Sequence, residues 1–335
     1  MISGLLIGVL FGFLLKRSRI CIAGGLRDVY LEKNKNGLLV LLLMIFTCST
    51  IFFVLVQTGV VPPPKTGKSF SIAATVVGSL LFGFGAILAS GCSTMMLVKT
   101  GDGRISGLIA LLSFLMVVTA SKKGLLSASI ETMQSWTKVN DGLAAAIPSP
   151  LILSLILLAA VLFWAFGRGK QQKNTFKMPQ RYHGLRHILA EKLWDKKRTA
   201  ILIGALAGLS FYLSGLTGRV GSWGITTPLY SWANAFMNGS VKLSWASFFV
   251  LGILGGSFLT ALISGEFHIQ GSDGLSLLKS ALGGAFMAYG AVLAKGCLIG
   301  HGIIGTSQYS AQSYLALLFI ILGLWLGAKI FYQRA

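Results

Sequence analysis

Gly85-Ala86-Ile87-Leu88-Ala89-Ser90-Gly91-Cys92 and Gly290-Ala291-Val292-Leu293-Ala294-Lys295-Gly296-Cys297 are one phrase written twice, 205 positions apart. Each is an apolar, small-residue run that ends on a Gly-Cys step. The same offset aligns Gly78 with Gly283, so that seven of fifteen positions agree, where chance in so Gly- and Ala-rich a chain gives roughly one or two. The openings of the halves correspond as well, Ile7-Gly8 and Gly12 with Ile203-Gly204 and Gly208. A duplicated module is expected, with residues 1–166 as the first repeat, 167–198 as a basic linker and 199–335 as the second.

Outward from this phrase the chain is apolar almost throughout. Of 335 residues, 54% are hydrophobic and only 11% charged, with a mean hydropathy of +0.76. Soluble chains are about 25% charged, so the solvent must be a bilayer. Runs close to the ~20 residues that cross hydrocarbon occupy 38–61, 70–90, 104–120, 148–166, 244–264, 277–295 and 314–332, and shorter runs at 4–15 and 199–216 open the halves. The expected fold is all-α: a polytopic integral membrane protein with an internal two-fold repeat and about nine spanning helices. The first run leads straight into Lys16, Arg17 and Arg19 with no small-residue cleavage site, so it reads as retained rather than as a signal peptide.

The net charge of +20 does not point to nucleic acid, because the basic residues sit in the connections and not on an aromatic-studded face. Positive-inside bias accounts for them. The stretch 168–198 carries ten Lys or Arg against Glu191 and Asp195 and is placed in the cytoplasm, with a short amphipathic helix expected around His183 to Lys197. Residues 16–35 fall on the same side if the next four spans alternate. The Pro62-Pro63-Pro64 loop and 121–147 then lie outside, although Lys122, Lys123 and Lys138 run against that placement.

There are 42 glycines, and close helix approach explains most of them. It does not explain those that flank cysteine, in Ser90-Gly91-Cys92-Ser93-Thr94 and Lys295-Gly296-Cys297-Leu298-Ile299-Gly300-His301. Irregular backbone at membrane depth survives only where it is buried in protein or lines a cavity, so both read as re-entrant turns. Of the four cysteines, Cys48 reads as a small core hydrophobe. Cys21, Cys92 and Cys297 share a different setting, beside glycine at helix breaks, with Arg19 and Arg27 near Cys21. A thiol among free N–H groups at a helix N-terminus suits a large, polarisable anion. A hard ion such as sulfate asks instead for Ser, Arg and backbone N–H. There is no Cys-x-x-Cys, and only His301 stands at ligand spacing from a cysteine, so no metal or other cofactor is expected. Ionisable residues beside apolar runs are costly in lipid, which singles out Lys295, His301 and Glu266, with Lys99, Asp102 and Arg104 just past Cys92. Glu266 serves equally as a clamp on a neighbouring helix.

Arg17-Ser18-Arg19-Ile20-Cys21-Ile22-Ala23-Gly24-Gly25-Leu26-Arg27-Asp28, Gly91-Cys92 with Gly101-Asp102-Gly103, Gly265-Glu266-Phe267 and Gly296-Cys297-Leu298-Ile299-Gly300-His301 together resemble the YeeE/YedE family of bacterial sulfur-transport membrane proteins, nearly end to end. The resemblance implies an hourglass of spanning helices with several half-membrane re-entrant helices, in the bacterial inner membrane. It implies uptake of thiosulfate or a related soft sulfur anion, passed along Cys21, Cys92 and Cys297 by S–H to sulfur hydrogen bonds. Gly91, Gly296, Arg19, Lys295, His301 and Glu266 complete the expected substrate-binding set. The chain departs from the family pattern around Cys92, where Ser90, Met95, Lys99 and Asp102 replace Gly, Gly, Arg and Glu, and this leaves a selenium or other sulfur species open as substrate. Family members often work beside a small soluble sulfur-carrier protein, for which the linker is a candidate cytoplasmic dock, plain positive-inside charge being the simpler account. Two other classes compete: a membrane thiol enzyme exchanging sulfane sulfur, which needs an activated nucleophile and a resolving thiol, and a passive channel without thiol dependence. No Gly-x-x-x-x-Gly-Lys-Ser/Thr motif is present, which argues against direct ATP coupling.

Overall fold

A computed structural model describes residues 1–64, 69–167, 187, 192–218, 221–239 and 243–332. Most of the linker lies outside them, including the start of the helix expected around His183 to Lys197; of that stretch 192–195 are described and are not helical, and Lys196 and Lys197 open the long helix that follows. Fourteen α-helices are described: α1 Ile2–Ser18, α2 Ile22–Leu31, α3 Asn36–Gln57, α4 Ile72–Leu88, α5 Ser93–Gly101, α6 Ile105–Lys123, α7 Ser127–Ser135, α8 Leu143–Ala146, α9 Pro150–Gly167, α10 Lys196–Gly215, α11 Thr226–Asn238, α12 Trp245–Ser264, α13 Gly274–Leu293 and α14 Ala311–Tyr332. A π-helical segment, Gly300–Gly305, lies between the last two. The one described sheet is a two-stranded antiparallel ribbon, β1 (Ser69–Ser71) on β2 (Lys138–Asn140).

Eight helical stretches among the described residues are long and apolar enough to cross a membrane: α3, α4 continued through α5, α6, α9, α10, α12, α13 and α14. Nine runs were expected, and α1 makes the difference. Its 17 residues rise about 26 Å at 1.5 Å each, short of the ~30 Å of hydrocarbon.

The helices meet through glycine, because lipid gives apolar side chains no reason to leave it and packing must supply the attraction. Along α1 and α12, Gly4 lies against Trp245, Gly8 against Phe249 and Gly252, and Gly12 against Ile253 and Ser257, so the two run in the same direction. In the α3 and α10 pair, Gly204 meets Met44 and Thr47, and Gly208 meets Ile51 and Cys48, again in the same direction. At the centre α4 and α13 cross antiparallel: a Cβ on Gly85 would stand 2.7 Å from the Gly283 carbonyl, and one on Gly78 the same distance from that of Gly290. The remaining large contacts are α4 with α14 and α6 with α13. Exchanging α1, α3, α4 and α6 for α10, α12, α13 and α14 maps this set of pairings onto itself. The core also holds an aromatic stack in which Trp223 lies 5.2 Å from Phe249 and 4.5 Å from Phe11, ring centre to ring centre.

Candidate functional site: two Gly-Cys steps and a cavity

The two Gly-Cys steps share one backbone. At the first, α4 runs out, Ser90 turns into the left-handed region at φ 53°, and Gly91 N donates to Ala86 O at 2.8 Å. At the second, Lys295 turns at φ 62° and Gly296 N donates to Ala291 O at 2.9 Å. A non-glycine residue held there costs roughly 1–2 kcal/mol, so each turn is fixed by its surroundings. The glycines have a local cause. A Cβ on Gly91 would stand 2.7 Å from that of Met95, and one on Gly296 would stand 2.5 Å from the His301 ring.

Each step delivers its cysteine to the start of a helix. Cys92 is the N-cap of α5, and Cys297 directly precedes the turn that begins at Leu298 and runs into the π-helical segment. Cys21 is the N-cap of α2, where its Sγ accepts a hydrogen bond from Gly24 N at 3.3 Å. Free N–H groups at these termini favour negative charge. All four cysteines are free, and Cys48, Cys92 and Cys297 are buried. Cys48 packs in the core with its Sγ 3.4 Å from Ser307 Oγ. Among the described residues no cluster of His, Cys, Asp and Glu could hold a metal ion.

A cavity of about 840 Å³ opens against the second step, and its wall includes Lys295, Gly296, Cys297 and His301. Glu131, Trp223 and the Pro62-Pro63-Pro64 loop also contribute. Cys21, Cys92, Gly91, Arg19 and Glu266 are not part of this wall. Cys21 and Cys92 instead form a second group, with Lys99 beside them. Arg19 and Glu266 belong to a third, at the end of the bundle where α1, α5 and α12 finish. There Lys16 Nζ lies 2.7 Å from Asp102 Oδ1 and 3.0 Å from Glu266 Oε2, with Arg19 at 3.7 Å from Glu266. Partial burial works against ionisation of Glu266, but the Lys16 ammonium, backed by Arg19 and Arg17, overrides it and holds the carboxyl below the usual glutamate range.

Several residues of these groups carry little sequence signal. Lys16 looks like an ordinary helix-end cation until the fold brings two carboxylates to it. Gln312 and Ser313 open an unremarkable apolar helix, yet they bond to Ala294 O and to His301. Trp223 is visible only as one aromatic among many.

The fold and these buried thiols define an α-helical, multi-pass membrane protein. The chain belongs to the sulphur transport family, whose sequence pattern matches residues 17–326. It is 34% identical over 336 residues to the thiosulfate transporter TsuA of Escherichia coli (strain K12), covering 99% of this chain and 95% of that one. It is 30% identical over 351 residues to the thiosulfate transporter TsuA of Spirochaeta thermophila, covering 99% of both. A shorter likeness, 31% over 101 residues, joins 30% of the chain to 24% of the probable transporter YedE of Salmonella typhimurium. These relatives support a transporter of a sulfur anion rather than an enzyme.

Proposed function

We propose that this chain takes up thiosulfate, or a closely related soft sulfur anion, across the bacterial cytoplasmic membrane, with Cys297, Cys92 and Cys21 as successive contacts. The observation that carries the reading is that three separated thiols each stand at the start of a helix, beside that helix's first backbone N–H groups. Stripping water from a divalent anion costs far more than one weak S–H contact returns, so N–H groups and thiols must act together. The cavity beside Cys297 is the entrance on this reading, and the Cys92 and Cys21 group is the inner stage. The end that gathers Lys16, Arg17 and Arg19 faces the cytoplasm by the positive-inside rule. The antiparallel crossing of α4 and α13, the elements that the sequence superposes, supports an inverted duplication, an arrangement that places substrate at the interface of the repeats.

The test is growth. A cell lacking other sulfur uptake routes should grow on thiosulfate when given this chain, and Cys297→Ala or Cys92→Ala should abolish that growth while the protein still reaches the membrane. Growth equal to the parent in both variants would sink the relay.

A further inference from the structure

Each Gly-Cys step joins the C-terminus of one long helix to the start of a short one, so bare carbonyls and bare N–H groups meet at one point. The N–H groups attract an anion and the carbonyls repel it. In this chain side chains cover the carbonyl at the matching position of each step. At the first step Lys99 Nζ, on α5, donates to Ala89 O at 3.1 Å and Ser90 O at 2.8 Å. At the second, Ala294 O accepts from His301 Nε2 at 3.0 Å and from Gln312 Nε2, on α14, at 3.1 Å. Ala89 and Ala294 are the same position of the duplicated phrase. The halves reach that position with different side chains from different elements, a cation in one and two neutral donors in the other.

His301 has a chain partner at each ring nitrogen. Nε2 faces a carbonyl and therefore carries a proton, while Nδ1 lies 3.1 Å from Ser313 Oγ. Both ring nitrogens are taken up by the chain itself, and neither is left for a substrate. We propose that Lys99 at the first step, and His301 with Gln312 at the second, are positioning residues that mask the helix C-terminal carbonyls beside Cys92 and Cys297. A thiosulfate ion passing the thiols then meets helix N-termini without the opposing C-termini. The proposal rests on the thiosulfate reading above, and it moves His301 from substrate ligand to carbonyl cover.

The test is labelled-thiosulfate uptake by the purified full-length chain in lipid vesicles, comparing Lys99→Arg, Lys99→Gln and Lys99→Met, and His301→Gln with His301→Leu. Hydrogen bonds to charged groups are each worth enough to change affinity by about tenfold or more. Lys99→Met should therefore raise KM by about tenfold, with the maximal rate held within about threefold. Lys99→Gln, a donor without charge, should fall between Met and Arg, and Lys99→Arg should stay near the parent. His301→Gln should retain most of the affinity that His301→Leu loses. A merely structural role would lower the melting midpoint and the maximal rate and leave KM in place, which would overturn the proposal. Equal KM across the Lys99 series would also overturn it, and if Lys99→Met does not fold, equality of Arg and Gln is sufficient. Failure of the parent chain to take up thiosulfate is a distinct result: it removes the transport reading and the masking proposal together.

Discussion

Lys16 Nζ, near the end of α1, lies 3.0 Å from Glu266 Oε2, just past the left-handed Gly265 that ends α12. The two helices run side by side from Gly4 and Trp245 onward, and this ion pair closes the pair at one end, with Asp102 bringing in the end of α5. It joins the first helix of one half to the second half.

The pair gives the fold an acid limit. Glu266 has a depressed folded-state pKa, so its native carboxyl binds fewer protons than the unfolded one. The stabilisation is fully present above the ordinary glutamate value of about 4.3 and is lost as pH falls through the lower folded value. The Glu266 side chain is 39% exposed, so Glu266→Gln should cost less than about 1 kcal/mol near neutrality. Melting midpoints measured from pH 7 down to pH 3 should fall less steeply in Glu266→Gln than in the parent chain. Parallel curves would contradict this role.

The central crossing leaves no room for side chains. Gly85→Leu would force its Cβ to within 2.7 Å of the Gly283 carbonyl, backbone that cannot swing aside. Overpacking of this kind costs typically 1–3 kcal/mol, and the melting midpoint in detergent should drop accordingly. Gly142→Ala, where nothing lies within 4 Å of the added Cβ, should leave the midpoint within experimental scatter.

Asp141 caps α14 from the other half of the chain. Its carboxylate accepts from Ala311 N at 2.9 Å and from Ser310 Oγ at 2.5 Å. Asp141→Ala should cost about 0.5–2 kcal/mol, the usual loss for an N-terminal cap, and Asp141→Asn should recover part of it. A midpoint unchanged in Asp141→Ala would show that the cap contributes nothing.

Not every thiol should matter. Cys48 is wholly buried, touches Ser307 and lies within α3 rather than at a helix start. Cys48→Ala should cost about 1 kcal/mol of stability, the range for losing one weak hydrogen bond and little volume, and leave thiosulfate KM as it was. A raised KM would place Cys48 on the path.

The sequence pattern and the fold agree where information is local and diverge where it is not. Membrane-length helices and the Gly-Cys breaks follow from composition and spacing, and Ser90 and Lys295 both adopt left-handed turns. The direction in which α4 and α13 cross cannot be read from a repeat, since parallel and inverted copies look alike in one dimension. Glu266 is legible as costly but not as the partner of Lys16, because 250 residues separate them. His301 and Lys99 stand out as polar residues near thiols, which invites a ligand role. Only the fold shows that both turn back to the carbonyls of their own steps. Cys21, Cys92 and Cys297 share a helix-start context in the sequence; the structure keeps that context but places only Cys297 on the cavity wall.

The thiol path is tested most directly by initial rates of labelled-thiosulfate uptake into vesicles holding the purified chain, measured for Cys297→Ala, Cys92→Ala, Cys21→Ala and Cys48→Ala side by side. The account predicts uptake reduced to background in the first two, strongly reduced in the third and near the parent rate in the fourth. Parent-like uptake in Cys297→Ala and Cys92→Ala would contradict it.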